Sequence, residues 1–433
     1  MSIKNLHKLF LLSGAVSTDS RKLIPGSIFF ALKGENFDGN KFAIEAVEKA
    51  CSYAVVDDAS LPYHKQLIYV SDVLTSLQEL ASFHRKTFKN PVIAITGSNG
   101  KTTSKELISA VLSRRLKVCS TVGNLNNHIG VPLTLLSLAD HDIAIIEMGA
   151  NHIGEIAALS TIANPDYGII TNIGRAHLEG FGSPEGVIQA KSELYSHIAA
   201  KNGSIFLDSD NSLLTDIAET KNIKSIKYGS SKESIVNAEI TDSSNFLKAK
   251  IFFNKIPDIL TVESHLVGDY NLKNMLAAAC IGRFFGVDPK EIEIALNEYT
   301  PSNSRSQLIQ TKKNKIVLDA YNANPSSMEG SISNFMSLKE MLPKMLILGD
   351  MLELGEYSRD EHKAIISLLE KGKATTFFLV GSEFMKASGP KSLNCFNNVD
   401  ELIEQLRLNP VSEHCILLKG SRGIKLEKLL DYL

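Results

Sequence analysis

The stretch Val92-Ile93-Ala94-Ile95-Thr96-Gly97-Ser98-Asn99-Gly100-Lys101-Thr102-Thr103 decides the fold. It opens as an apolar run without polar alternation, the pattern of a strand buried on both faces. It continues into Thr102–Arg114, where apolar residues recur at helical spacing. Strand, glycine loop and helix in that order make a phosphate cradle. Gly97 and Gly100 let the backbone curl so that successive N–H groups face one anion. The free N–H groups and dipole of the helix add partial positive charge. Ser98 and Asn99 line the loop, Lys101 brings a full charge to the β- and γ-phosphates, and the Thr102 hydroxyl, followed by Thr103, reaches a Mg²⁺. The spacing departs from G-x-x-x-x-G-K-[ST], which needs glycine where Ile95 stands. A glycine turn before a helix with a solvated lysine is the plain alternative.

Outward from this loop, strands and helices alternate. Ile143–Glu147 and Tyr167–Thr171 read as buried strands, and Glu185–Ile198 and Asn271–Phe285 as helices. Unalternating strands spaced by helices predict a parallel sheet covered on both faces. The stretch Asp242–Val267 is more antiparallel in character, with a strand at Phe246–Phe253. Upstream, the runs Ser27–Leu32 and Cys51–Val56 and a helix near Leu74–Phe88 predict a small α/β domain, punctuated by Asn90-Pro91. Lys4 and Lys8 before Leu9-Phe10-Leu11-Leu12 faintly mimic a signal peptide, but the apolar core is short; a folded element opening the first domain is the expectation. Downstream, Thr300-Pro301-Ser302-Asn303-Ser304 is the linker candidate. A second βα series follows, with strands at Lys315–Ala320, Met345–Leu348, Thr376–Gly381 and Cys415–Lys419. The fold class is therefore α/β in three domains: 1–88 (small α/β), 89–300 (parallel-sheet phosphate-loop domain) and 301–433 (Rossmann-like).

Composition agrees with that count. The chain has 433 residues, 44% hydrophobic and 22% charged, and roughly 150 residues make a domain. Its 46 basic and 48 acidic residues leave a net charge of −2, which argues against a nucleic-acid partner. No apolar run approaches the ~18–20 residues of a membrane helix. Five scattered cysteines without C-x-x-C fit a reducing, cytoplasmic compartment rather than a disulfide framework or zinc site.

Two further positions bear on chemistry. Glu147 ends a buried parallel strand, where a carboxylate is well placed to hold Mg²⁺; capping the next helix is the alternative. His177, in Asn172-Ile173-Gly174-Arg175-Ala176-His177-Leu178-Glu179, follows the next strand and is either a metal ligand, a charge stabiliser or a satisfied structural histidine. Composition makes Lys191 simply a helix lysine.

These blocks, with Gly123–Pro132, Gly268-Asp269-Tyr270-Asn271-Leu272-Lys273-Asn274 and Lys419–Gly423, resemble the Mur ligases, ATP-dependent amide-forming enzymes of peptidoglycan precursor synthesis. The shortened T-G-x-x-G-K-T loop is that family's version, and the blocks span the chain in order. The blocks Asp319–Met328 and Gly349-Asp350-Met351-Leu352-Glu353-Leu354-Gly355 look like the member that joins D-alanyl-D-alanine to UDP-N-acetylmuramoyl-tripeptide through an acyl phosphate. A ligase adding one amino acid, or a folylpolyglutamate-type relative, is the alternative; a non-catalytic nucleotide module is the remaining one.

The resemblance also implies residue roles. Lys101, Glu147, His177 and Lys191 would be catalytic. ATP would lie on Gly97 through Thr103, Asn271 and Asn274 (adenine), Arg305 (phosphate) and Asp319 (ribose). Two Mg²⁺ ions would be held by Thr102 and Glu147, and by His177 and a CO₂-derived carbamate on Lys191. Asp19, Ser20 and Arg21 resemble a uridine-nucleotide pocket. Asn124, Asn126 and Asn127 either bind substrate or close a loop, and Asn322 and Asn324 fall in a substrate block. Many relatives have histidine where Tyr270 stands. The implied partners are UDP-N-acetylmuramoyl-tripeptide and D-Ala-D-Ala, with no nucleic acid and no membrane insertion, for a monomer.

Overall fold

The computed structural model describes the chain except residues 255–256, 303–304, 372–375 and 389–393. Asn303 and Ser304 of the linker candidate thus lie outside the described residues.

Three large sheets follow one another along the sequence, beside a two-stranded ribbon of Lys33–Gly34 and Phe37–Asp38. The first has four parallel strands in the order Val16–Ser17, Ile28–Phe30, Tyr53–Val56, Leu67–Tyr69. The amphipathic helix Ile3–Ser13 opens the chain, burying Leu6 and Phe10, so the lysine-flanked apolar run is a folded element. The helix Val73–Thr87, N-capped by Asp72, packs on central-domain helices and so joins the first domain to the second.

The central sheet has nine strands. Val92–Thr96 is the third strand from one edge, parallel to Ile143–Glu147 on one side and Tyr167–Ile170 on the other. The chain changes direction across the sheet at this strand, so the carboxyl ends open a crevice there. Alternation within the strands explains the burial. Val92, Ala94, Ala144 and Ile146 face one apolar layer with Leu159, Leu194 and Ile198. Ile93, Ile95, Ile143 and Ile145 face the other with Leu107, Ile108 and Val111 of the loop helix.

That helix spans Lys101–Leu112, starting one residue earlier and ending two residues earlier than the periodicity suggests. Arg114 turns out of it to pair with Glu291 and Glu298. Lys248–Phe253 is antiparallel to both neighbours; it starts two residues late because Asp242 accepts from Ser244 N in the preceding turn. The strands Val118–Ser120, Ser204–Asp208 and Lys224–Tyr228 were not anticipated; they are short or half-polar.

The third sheet runs Gln307–Gln310, Lys315–Asp319, Cys415–Lys419, Lys344–Gly349, Thr376–Val380, Cys395–Phe396, parallel except for its first pair. The architecture is thus three α/β domains. No disulfide forms among the described residues, and no described helix is long and apolar enough to cross a membrane.

Candidate active site

The loop after Val92–Thr96 is held from below by the neighbouring strand end. Ser98 N donates to Asn172 O (2.9 Å), Asn99 N to Asn172 Oδ1 (3.0 Å), and Thr171 Oγ1 to Asn99 O (2.6 Å). Gly97 has φ +145° and Gly100 φ +77°; a Cβ on Gly97 would sit 2.0 Å from Thr171 Oγ1, so no side chain fits. Lys101 curls back over the loop, donating to Gly97 O (2.6 Å). Desolvation, with Arg305 adding to it and Glu147 opposing it, brings its ammonium down to about 8.

Glu147 is the centre of the next shell of contacts. It is buried. Its Oε1 accepts from Thr102 Oγ1 (3.2 Å) and Asn126 Nδ2 (2.8 Å), and its N–H donates to Thr121 Oγ1. Oε2 has no hydrogen-bond partner among the described residues; the Lys105 ammonium lies 3.8 Å away. An orphaned carboxylate oxygen beside a hydroxyl and a phosphate loop fits Mg²⁺, which takes one or two carboxylates and completes its octahedron with phosphate and water. Consistent with such sparse protein ligation, no cluster of three His, Cys, Asp or Glu ligands exists among the described residues.

His177 stands in the left-handed region, φ +52°, where the loop after Tyr167–Ile170 enters the short helix Leu178–Phe181. Its Nδ1 meets the Glu353 carboxylate. Lys191 is buried in the helix Pro184–Ala200. Its Nζ lies 3.5 Å from Ala150 O and 5.0 Å from the centre of the Phe181 ring. Burial, reinforced by Lys101, brings its ammonium down to about 7.

Asn271 and Asn274, on the helix Asn271–Phe284, bond to each other (2.9 Å), to Val267 O and to Ser104 Oγ. They thereby tie this helix to the loop helix and still face the crevice. The Arg305 guanidinium stacks on Tyr321 at 3.9 Å, its Nε buried without a partner among the described residues. Asp319 accepts from Lys419 Nζ (2.6 Å) and Ser331 Oγ (2.9 Å). The Tyr270 hydroxyl bonds Ser306 Oγ (2.8 Å).

These residues surround one cavity of about 890 Å³, whose wall also takes Gln78 from the first domain. Of the candidates, the whole stretch Ser98–Thr103, Glu147, His177, Asn124, Asn126, Asn127, Asn271, Asn274, Arg305, Asp319, Asn322 and Asn324 line it. Several do structural work as well. Asn127 Oδ1 accepts from Ile129 N and Gly130 N, and Asn322 Oδ1 from Ala323 N. Asn324 caps the helix Pro325–Ser337 and donates to Asn99 Oδ1 (2.8 Å) across the domain boundary. Lys191 lies behind the wall. Asp19, Ser20 and Arg21 are not brought to this cavity; Asp19 and Arg21 form a surface pair at 2.8 Å.

The reading from sequence passed over Lys105, Tyr321, Lys419 and the part played by Glu353. A signal existed for all four. Lys105 sits four residues after Lys101, one turn along the same helix face, and Tyr321, Lys419 and Glu353 lie inside blocks already singled out.

Family models match in three consecutive pieces: a Mur ligase family catalytic domain over residues 14–91, a Mur ligase middle domain over 95–282 and a Mur ligase glutamate ligase domain over 304–422. The UDP-N-acetylmuramoyl-tripeptide--D-alanyl-D-alanine ligase of Bacillus subtilis is 36% identical, over 96% of this chain and 92% of its own length. A crystal structure of MurF from Acinetobacter baumannii superposes with a TM-score of 0.85 at 32% identity, covering 96% of this chain and 92% of that one. MurF ligase from Thermotoga maritima in complex with ADP gives 0.83 at 26%, covering 98% and 97%.

Proposed function

The chain belongs to the Mur ligase family, and from that premise we infer that it is the ATP-dependent ligase joining D-alanyl-D-alanine to UDP-N-acetylmuramoyl-tripeptide. The observation that carries the reading is the cavity itself: phosphate loop and buried Glu147 on one wall, the third domain's Asp319–Ser331 on the other. The full-length likeness to ligases of that name selects this reaction over the addition of a single amino acid.

In the reaction, the tripeptide's terminal carboxylate attacks the γ-phosphorus of ATP and ADP leaves, giving an acyl phosphate. The amine of D-Ala-D-Ala then adds to the acyl carbon, and the tetrahedral adduct expels phosphate and loses a proton to give the amide. A carboxylate approaching a triphosphate brings anions together, so the help required is electrostatic. Lys101 and the loop N–H groups supply it from the chain. Mg²⁺, when bound, adds charge neutralisation and orientation; Thr102 and Glu147 would hold one ion, His177 and carbamylated Lys191 a second. Burial supports the carbamate, because a lysine with its ammonium brought down to about 7 offers CO₂ a neutral amine. Attack by that neutral amine forms the N–C bond, releases one proton and leaves an anionic oxygen ligand where a protonated lysine would carry positive charge.

Arg305 would contact nucleotide phosphate, Asp319 the ribose, and Asn271 and Asn274 the adenine. The peptide substrate would lie along Asn124, Asn126, Asn127, Asn322 and Asn324, and its uridine nucleotide near Asp19, Ser20 and Arg21. We divide the tasks among residues 1–88, 89–300 and 301–433, in a cytoplasmic monomer.

The test is product mass from ATP, D-Ala-D-Ala and a panel of UDP-N-acetylmuramoyl-tripeptides, with single amino acids in parallel. The dipeptide adduct is expected; an adduct only with a single amino acid, or ATP binding without product, overturns the reading. Lys101→Ala should abolish turnover, and substantial residual activity would contradict its role.

A further inference from the structure

The loop that carries His177 is tied to the third domain at point after point. Arg175 donates from Nη1 to both carboxylate oxygens of Glu361 (2.9 Å each) and from Nη2 to Glu329 (2.6 Å). Arg175 N donates to Ser326 Oγ (2.9 Å), Glu179 N to Glu353 O (3.2 Å), and Tyr357 Oη to Gly182 O (3.2 Å). Gly355 approaches so closely that a Cβ there would lie 3.2 Å from Glu179 Cβ.

Within this junction His177 and Glu353 also meet side chain to side chain, and both are non-glycine residues in the left-handed region, at φ +52° and +62°. Backbone strain of that kind persists only where the surroundings over-determine it. The Glu353 carboxylate lies against His177 Nδ1, off the axis of an aligned hydrogen bond. The other ring nitrogen, Nε2, is left for the cavity that His177 lines.

From this geometry we propose that Glu353 is a positioning residue: reaching across from the third domain, it fixes the proton of His177 on Nδ1 and turns Nε2 into the cavity. A carboxylate behind an imidazole sets both tautomer and ring orientation. Because Glu353 belongs to a different domain from His177, the histidine is correctly set only while the third domain is docked. The inference rests on the ligase reading for its consequence in turnover, and on the structure alone for its effect on the ring.

The test separates the two. Imidazole ¹⁵N spectra of the full-length protein without ligands, with the His177 signals assigned by His177→Asn, should show a single Nδ1–H tautomer. Glu353→Ala should convert this to a tautomer mixture, and Glu353→Gln, whose amide oxygen still accepts, should retain it. In turnover, Glu353→Ala should lower kcat at least tenfold while KM for ATP changes less than threefold, with Glu353→Gln recovering most of kcat. Thermal melting identifies a Glu353→Ala variant that fails to fold, in which case Glu353→Asn, shorter by one methylene and at ease in the left-handed region, takes its place with the same expected tautomer mixture and loss of kcat. An unchanged His177 spectrum in folded Glu353→Ala overturns the proposal, as does wild-type kcat in that variant. Absence of dipeptide ligation by the unmodified protein would instead overturn the ligase reading and leave the spectral result to stand.

Discussion

Glu147 shows how single residues are set for their work by what surrounds them. Its carboxylate is buried with one oxygen satisfied and the other facing Lys105 at 3.8 Å. Lys105 in turn donates to Thr121 O (2.7 Å), which holds its ammonium where it balances the carboxylate's charge. Lys105→Met should destabilise the fold by about 3 kcal/mol, since removing one partner of a buried pair leaves the other charge uncompensated. Urea denaturation measures it, and a loss below about 1 kcal/mol would mean that Glu147 does not need this cation.

Lys191 carries a pH signature. Its folded-state value is depressed to about 7, whereas an unfolded lysine holds its proton to about 10.4. Between those values the unfolded chain binds more protons, so this residue's contribution to stability rises with pH. Below pH 7 its burial penalty is present in full. Wild type should therefore gain stability relative to Lys191→Met from pH 7 to 9 in CO₂-free buffer. Equal shifts in the two urea midpoints would show that the lysine is solvated.

At the scale of elements, the loop between Val92–Thr96 and Lys101–Leu112 works only because its turns exclude side chains. Gly97→Ala puts a methyl 2.0 Å from Thr171 Oγ1 and 3.1 Å from backbone atoms of Thr171 and Asn172, at a φ that L-residues rarely adopt. We expect a loss of at least about 2 kcal/mol together with loss of ADP binding, read by thermal melting and calorimetry. The helix Pro325–Ser337 depends on its cap in a different way. Asn324 accepts from Ser327 N (2.9 Å), and Ser327 Oγ closes the capping box. Asn324→Ala should cost about 1 kcal/mol for the cap and should also loosen the third domain through the lost bond to Asn99.

For the whole molecule, the junction between the second and third domains is built largely of polar ties. Arg175 gathers two carboxylates, and half-buried pairs of this bidentate kind hold geometry better than isolated surface pairs do. Arg175→Ala should enlarge the radius of gyration in small-angle scattering and blunt the compaction that ATP, tripeptide substrate and dipeptide produce together. Compaction brings amine and acyl phosphate together and excludes water; no compaction of the unmodified protein with all ligands bound would remove this role for closure.

The α/β class and the central strands were legible because their cause is local. Val92–Thr96 and Ile143–Glu147 are written in largely apolar runs, and the phosphate loop in two closely spaced glycines and a lysine. Short or half-polar strands such as Val118–Ser120 and Lys224–Tyr228 carry no such pattern and form because neighbouring strands supply their hydrogen bonds. The candidate site divides along the same line.

Three domains, a phosphate loop and a strand-end acid were determined by the sequence itself, since each needs only residues adjacent along the chain. That Lys105 stands behind Glu147, that Asp319 is paired with Lys419, and that Glu353 of one domain faces His177 of another was decided only by tertiary structure. Those pairs lie 42, 100 and 176 residues apart, and charges so separated meet only after the sheets have stacked and the domains have docked.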